Sequence, residues 1–278
     1  MAIHASSIVE AGAVVDPSAE IGPFCFVGAQ VRVGPGTRLV HSVTLTGRTT
    51  IGARNTLHPY CVVGGDPQDL KFRGEDSLTV IGDDNIFREG VTVNKGTWLG
   101  GNKTSIGNRN YIMAGAHVAH DSVIEDQCIL ANAVMLAGHI RVESCAILSG
   151  MVAVHHFVTI GRFAFIGGVS RISQDCPPFM ITQGFAGEVR GVNSVGLRRR
   201  GFKPEVINAL REAHRAIWRS ALPKPDALAD VERRSGNIPE IRSLIAFLKA
   251  SDLGRMGRAR ESLRTTPVSP EPEAELLE

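Results

Sequence analysis

Aliphatic residues recur every six positions along this chain, at Ile3, Val9, Val15, Ile21, Val27 and Val33 and then at Leu39, Leu45, Ile51, Leu57 and Val63. The same phase returns at Ile81, Phe87 and Val93, and a further run extends from Ile106 to Ile172. Gly follows many of these positions, as in Ile21-Gly22, Ile51-Gly52 and Ile160-Gly161. Neither a helix nor an ordinary strand has a period of six. A coil with three short strands per turn does, because each side needs one inward aliphatic residue and one turn. The pattern predicts a mainly β protein, a parallel β-helix of about nine to ten triangular coils. Residues eighteen apart then stack at roughly 4.8 Å, the ordinary spacing between strands.

Two segments break the period. Residues 64–80, beginning Gly64-Gly65-Asp66-Pro67-Gln68-Asp69-Leu70-Lys71, read as a polar loop thrown outward. Val63 and Ile81 stay in phase, which predicts that this loop replaces a rung. A second break over 97–104, around Gly100-Gly101-Asn102, adds one residue to the period. Loops kept inside a strict solenoid usually line a binding face. After Pro177-Pro178 the spacing of Val206, Ile207, Leu210, Ala213, Ile217 and Trp218 predicts a helix over Lys203–Ser220. Further helices are expected over Ala227–Arg234 and Ile238–Lys249. The expected division is a β-helix over 1–190, a helical domain over 191–252 and a flexible tail over 253–278, which is rich in Arg, Glu, Pro and Ser.

The formal net charge of +2 gives no electrostatic footprint for nucleic acid, and the short runs Arg198-Arg199-Arg200 and Arg233-Arg234 alone fit a solvated surface. The chain begins as the first rung of the repeat, without a secretory signal, and no apolar stretch is long enough to span a bilayer. Its five cysteines are odd in number and lack CxxC spacing, so they fit small buried residues in a reducing compartment. A cytoplasmic location is expected.

His117, His120, His139, His155 and His156 fall within forty residues. The eighteen-residue register puts His120, Gly138 and His156 in one column and Asp121, His139 and Phe157 in the next, with His117 at the same corner. Polar residues belong at turns, which accounts for one histidine but not for five rings at one corner. In one reading a histidine is a general base, its ordinary pKa near ~6.5 suiting it to take a hydroxyl proton. His120 is then the candidate, with Asp121 to orient the ring. Gly138, one rung above, offers an unobstructed N–H to an oxyanion, worth about 3 kcal/mol in a transition state. In the other reading the imidazoles bind a metal such as zinc. A purely structural β-helix would show regular Thr or Ser columns on a flat face instead.

A series of motifs runs in order on these repeats. They are Gln68-Asp69-Leu70-Lys71, Ala116-His117-Val118-Ala119-His120-Asp121, Leu136-Ala137-Gly138-His139, and Gly150-Met151 with Ala153-Val154-His155. Gln174-Asp175 before Pro177-Pro178 follows, then Gly191-Val192-Asn193 leading to Arg199-Arg200-Gly201-Phe202. From Ile3 to about Arg219 the chain thereby resembles the UDP-N-acetylglucosamine O-acyltransferases that begin lipid A synthesis.

The resemblance implies a left-handed coil, an exception to the right-handed rule for parallel crossovers. It also implies a helical C-terminal domain and a homotrimer with its sites between subunits. The implied reaction moves an (R)-3-hydroxyacyl group from acyl carrier protein to the glucosamine 3-hydroxyl of UDP-N-acetylglucosamine, with no cofactor, metal or covalent enzyme intermediate. His120 would be the base, Asp121 its partner and the Gly138 amide the oxyanion donor. Gln68, Asp69, Lys71, His117, His139, His155 and His156 would hold the sugar nucleotide. Asn193, Arg199 and Arg200 would meet the nucleotide and its phosphates, which suit a fixed cationic fork. The acyl-length limit maps to Gly168, with Phe165 nearby. His156 stands where the family commonly has Gln, and Val195 where an acidic residue often stands; both bear on nucleotide affinity. A sister class that acylates the 2-amine carries an extra domain before its coils, whereas the repeat here starts at Ile3. A 3-amino sugar is the alternative acceptor, and acyl length is not legible.

Overall fold

A computed structural model describes residues 2–264. Strands mostly of two residues follow one another around a triangle. The first side begins with Ala2–Ile3 and Glu20–Ile21, the second with Ile8–Val9 and Phe26–Val27, and the third with Val14–Val15 and Arg32–Val33. Within each side neighbouring coils pair in parallel, residue opposite residue eighteen on, as Val27 opposite Leu45 and Val118 opposite Leu136. The second residue of each strand faces inward, so the sixfold aliphatic positions fill one continuous core from Ala19 to Cys176. The fold is the expected left-handed parallel β-helix, with nine strands on the second side and eight on the third among the described residues.

Most corners use one residue with left-handed backbone, and in many coils it is not glycine. At the corner between the second and third sides, Asp121, His139 and Phe157 take φ of 60°, 62° and 64° on three successive coils. Such a conformation costs an ordinary residue about 1–2 kcal/mol. The stack holds it in place: the His139 N–H donates to the His120 carbonyl at 3.0 Å, and the Phe157 N–H to the Gly138 carbonyl at 3.4 Å.

Both breaks in the period are larger than expected. Ile81 pairs with Ile51, thirty residues back rather than eighteen, so the first loop inserts twelve residues and replaces no rung. Ile106 pairs with Ile81, twenty-five residues back, so the second inserts seven residues rather than one. Val63 and Val93 lie on the second side, and Ile81 and Ile106 on the third. Both insertions therefore leave the coil at one corner, the corner that carries His120.

After the last coil the chain turns back: Met180–Gln183 extends the first side, and Glu188–Val192 pairs with it antiparallel. A boundary at residue 190 would cut this second strand, which belongs to no hexapeptide and so leaves no mark in the period. Four helices follow: α1 (Ser194–Arg199), α2 (Pro204–Trp218), α3 (Lys224–Ser235) and α4 (Pro239–Leu253). A proline in the first turn starts each of the last three, where its missing N–H costs nothing. Leu197, Leu210, Leu228 and Leu244 pack with Phe179 into a second core.

The segment after α4 departs from the expected tail as far as it is described. Arg258 and Glu261 form a buried ion pair at 2.7 Å, and Arg258 also donates to the Ser173 carbonyl at 2.7 Å. The Ala259 N–H donates to Asp175 at 2.8 Å, and Arg260 donates to the His139 carbonyl at 2.6 Å. Burial works against the charge of Glu261, but Arg258 and Arg264 outweigh it and hold its carboxyl below the usual range. A polar composition suggested a loose end because the matching groups lie on the last coils, far back in the chain. The rest of that expected tail, 265–278, lies outside the described residues.

Candidate active site

His120 and Asp121 sit at the corner directly beneath the second insertion. Asp121 is fully buried, and its charge is met by three donors: the Thr97 N–H at 2.9 Å, the Thr97 hydroxyl at 2.6 Å and His120 Nδ1 at 2.7 Å. A buried carboxylate needs such partners to offset its lost hydration. A Cβ at Gly100 would run into this carboxylate, so the glycine lets the insertion close over it. Since the carboxylate only accepts, His120 Nδ1 carries a proton and its Nε2 is the free basic nitrogen of the neutral ring.

Gly138 lies against that ring from the coil above. A Cβ there would sit 2.5 Å from His120 Cε1 and 2.7 Å from Nε2, so the site needs glycine for room rather than for backbone freedom. The adjacent column is a stack of rings: His139 meets His120 edge-on with centroids 5.2 Å apart and lies flat on Phe157 at 4.4 Å. Burial pushes the His139 imidazole down to about 4 against the pull of Asp121. Burial and the neighbouring His155 also lower His156, although that side chain remains open to solvent on one side. His117 is lowered by burial and by His120, and its Nδ1 is 2.7 Å from the Thr92 hydroxyl.

Two depressions meet at His120. One, of about 430 Å³, is bounded by Asp69 and Lys71 of the first insertion, Thr97 of the second, His139, and Leu263 and Arg264 of the C-terminal segment. The other, of about 620 Å³, runs over the second side past His117, Met135, Gly138, Ala153 and Arg171 and is largely apolar. Gln68, His120 and His156 border both. His155 borders the apolar groove, and its Nδ1 lies 3.2 Å from the His156 carbonyl.

Most of the expected site thus converges, and part of it does not. Asn193 caps α1, accepting from the Gly196 N–H at 3.1 Å and donating to the Phe163 carbonyl at 3.0 Å. Arg200 bonds Gln127 on another corner, and Arg199 is exposed. None of these three borders either depression within one chain. Gly168 lies at the far corner of the second side, three residues before Arg171, and Phe165 faces out from the first side. Sequence reasoning missed Thr97, Gly100 and Arg264. Gly100-Gly101 was a signal for the first two, and nothing in the sequence marked the third.

His120, Asp121 and His139 each present a ligand-type atom within 4.8 Å of one another. As arranged, they make a hydrogen-bonded carboxylate rather than a metal cradle. The Asp121 oxygens are occupied by Thr97 and His120, and His120 Nδ1 must keep its proton to bond them. The five cysteines are all free, and burial pushes Cys61, Cys128 and Cys176 up to about 12, which makes them inert thiols. Among the described residues no helix is long and apolar enough to cross a membrane.

Comparison with known proteins places the chain in a family. The model described as UDP N-acetylglucosamine O-acyltransferase, domain 2, matches residues 175–256, and that of the bacterial transferase hexapeptide (six repeats) matches residues 103–138. A protein of Anaeromyxobacter sp. (strain Fw109-5), named acyl-[acyl-carrier-protein]--UDP-N-acetylglucosamine O-acyltransferase, is 48% identical over 254 residues, 91% of this chain and 99% of its own. A Synechocystis relative of the same name is 47% identical over 209 residues, 74% of this chain and 75% of its own. The crystal structure of a UDP-N-acetylglucosamine acyltransferase from Bacteroides fragilis 9343 superposes with a TM-score of 0.86 at 38% identity, over 89% of this chain and 96% of that one. An Arabidopsis UDP-N-acetylglucosamine acyltransferase structure does so with 0.81 at 33%, over 91% and 98%. With its hexapeptide coils, helical cap and histidine corner, the chain belongs to the UDP-N-acetylglucosamine O-acyltransferase family.

Proposed function

We propose that this protein transfers an (R)-3-hydroxyacyl chain from acyl carrier protein to the 3-hydroxyl of UDP-N-acetylglucosamine, the first step of lipid A synthesis. The observation that carries this reading is the position of His120, at the junction of a polar cavity and an apolar groove with Gly138 against its ring. A sugar suits the first depression and an acyl chain the second, so their reacting atoms meet at Nε2.

In the proposed mechanism His120 Nε2 takes the proton of the sugar 3-hydroxyl as its oxygen attacks the thioester carbonyl. Asp121 stabilises the imidazolium that forms. The Gly138 N–H, which bonds no acceptor among the described residues, receives the developing oxyanion. The tetrahedral intermediate then collapses: the C–S bond breaks, the ester forms, and His120 returns the proton to the departing thiolate. The electron pair stays on sulfur, so no metal, cofactor or acyl-enzyme is needed.

Gln68, Asp69, Lys71, His117, His139, His155 and His156 hold the sugar nucleotide in this reading. Asn193, Arg199 and Arg200 lie away from His120 in their own chain. They act at a neighbouring subunit's site, which makes the homotrimer part of the mechanism. Gly168 and Phe165, at and beyond the far edge of the apolar groove, bound the acyl chain. The protein works in the cytoplasm in this reading.

The test is mass spectrometry of the purified protein with UDP-N-acetylglucosamine and a panel of 3-hydroxyacyl carrier proteins, with and without chelator. A mono-acylated sugar nucleotide formed in chelator supports the reading, and the best panel member gives the chain length. Product only from a 3-amino acceptor would reassign the nucleophile. Activity lost to chelator would sink the metal-free mechanism.

A further inference from the structure

The described part of the C-terminal segment ends in the wall of the polar cavity. We propose that Arg264 is a positioning residue for the diphosphate of the sugar nucleotide, an inference that rests on the acyl-transfer reading above.

Three observations carry it. First, the segment is built into the site. Arg260 donates to the carbonyl of His139, whose ring meets His120, and the Ala259 N–H donates to Asp175. Second, the Arg264 guanidinium is tethered at two points. Its Nε donates to Glu261 at 2.6 Å, its Cζ lies 5.0 Å from the centre of the Phe157 ring, and Glu261 is itself pinned by buried Arg258. The Glu261 bond takes Nε; the terminal nitrogens carry the planar fork that phosphate oxygens accept. Third, the cavity needs a cation there. Its permanent cations are Lys71 and Arg264, set against Asp69, while burial keeps its His139 uncharged at neutral pH.

The chemistry of the acceptor does the rest. Its diphosphate hangs from carbon 1, two ring carbons from the oxygen to be acylated. A sugar held with that oxygen at His120 therefore carries two negative charges into the same cavity. Lys71 approaches from the first insertion and Arg264 from the C-terminal segment, so the diphosphate is held from two elements far apart in the chain. Because this contact is the same in ground and transition state, it sets affinity for the nucleotide and leaves the chemical step alone.

The experiment is steady-state kinetics with both substrates varied, for the full-length wild type, Arg264→Met and Arg264→Lys, beside calorimetry with UDP-N-acetylglucosamine. Met keeps an unbranched side chain at this position and removes the fork, together with its cation contact to the Phe157 ring. Arg264→Met is expected to raise KM and Kd for the sugar nucleotide about ten- to a hundredfold, the range for losing a charged hydrogen bond. kcat and KM for the acyl carrier thioester should stay within about twofold, and Lys should recover part of the loss. A sugar-nucleotide Kd within about twofold of wild type overturns the proposal. So does a rise confined to the thioester KM, or a lowered melting temperature with kcat lost and no recovery by Lys. A wild type that turns over no thioester overturns the acyl-transfer reading instead; the calorimetric comparison still decides Arg264.

Discussion

Two corners of the same coil bury columns of polar side chains, and only one of them faces the two depressions that meet at His120. At the corner between the third and first sides, Asn55, Asn85 and Asn110 stack on successive coils. Asn55 Oδ1 accepts the Asn85 N–H at 2.9 Å, Asn85 Oδ1 the Asn110 N–H at 2.8 Å, and Asn110 Oδ1 the Cys128 N–H at 2.8 Å. The amide groups of Asn55 and Asn85 donate to the Gly82 and Gly107 carbonyls at 2.8 Å and 2.9 Å. That ladder satisfies the backbone and borders neither of the two depressions at His120; of its side-chain atoms the buried Asn110 Nδ2 is left without a partner among the described residues. At the histidine corner the stack satisfies Asp121 and one nitrogen of His120 and leaves the other facing two cavities. The difference teaches that a buried polar column becomes chemistry when its last valence is aimed at space for a substrate.

The largest effect that separates the corners is on turnover. His120→Ala should lower kcat about 10²–10⁴-fold, the usual worth of a general base, while the melting temperature stays near wild type. Rates measured with UDP-N-acetylglucosamine and the best acyl donor check it, and a variant keeping half its activity removes His120 from the mechanism.

Gly138→Ala comes next. The added carbon meets the His120 ring at 2.5 Å, and the ring must move off the line between the cavities. Displacement on the order of an ångström costs about a hundredfold in rate, again without a matching loss of stability. Full activity in this variant would mean that the ring does not work from its present position.

Asn85→Ala reverses the pattern. It strips the acceptor of the Asn110 N–H and a donor to Gly107, so unfolding in urea should show a loss of about 1–3 kcal/mol. The kcat/KM of the remaining folded enzyme should match wild type. A loss of activity larger than the loss of folded protein would erase the contrast between the two corners.

The histidine corner was legible in the sequence because an integral period of eighteen converts directly into vertical neighbours. His120 beneath Gly138, and Asp121 beneath His139 and Phe157, follow from counting. The sizes of the insertions did not, because a phase counted modulo six cannot tell one side of the triangle from three. Thr49, Thr79 and Thr104 fill positions that the aliphatic phase does not describe, and their pairing across thirty and twenty-five residues is what reveals the two insertions. Thr97 escaped notice for a similar reason: its bonds to Asp121 exist only because the insertion folds back over the corner. The C-terminal segment was least legible. A run of Arg and Glu reads as a solvated tail until Ser173, Asp175 and His139 supply the acceptors that order it.

The smallest effect tests what the burial of this corner costs the fold. His139 titrates at about 4 in the folded chain, first because it is buried and then because His120, His156 and Arg260 oppose its charge; Asp121 pulls the other way. Unfolded, it titrates near its ordinary 6.5. Between those values the unfolded chain holds a proton that the folded chain refuses, so acid favours unfolding. Above pH 6.5 both forms are neutral and the effect vanishes; below pH 4 both are charged and it stops growing. The shift corresponds to about 1.4 kcal/mol per unit, and water reaching the 18% of the side chain still open reduces it. His139→Phe keeps the flat stack on Phe157 and abolishes the titration. The stability gap between variant and wild type, followed by urea unfolding from pH 7 to pH 4, should therefore move in favour of the variant as pH falls. A gap constant over that range would show that His139 takes up its proton as easily in the corner as in water, and the corner would then carry no more electrostatic strain than the asparagine ladder.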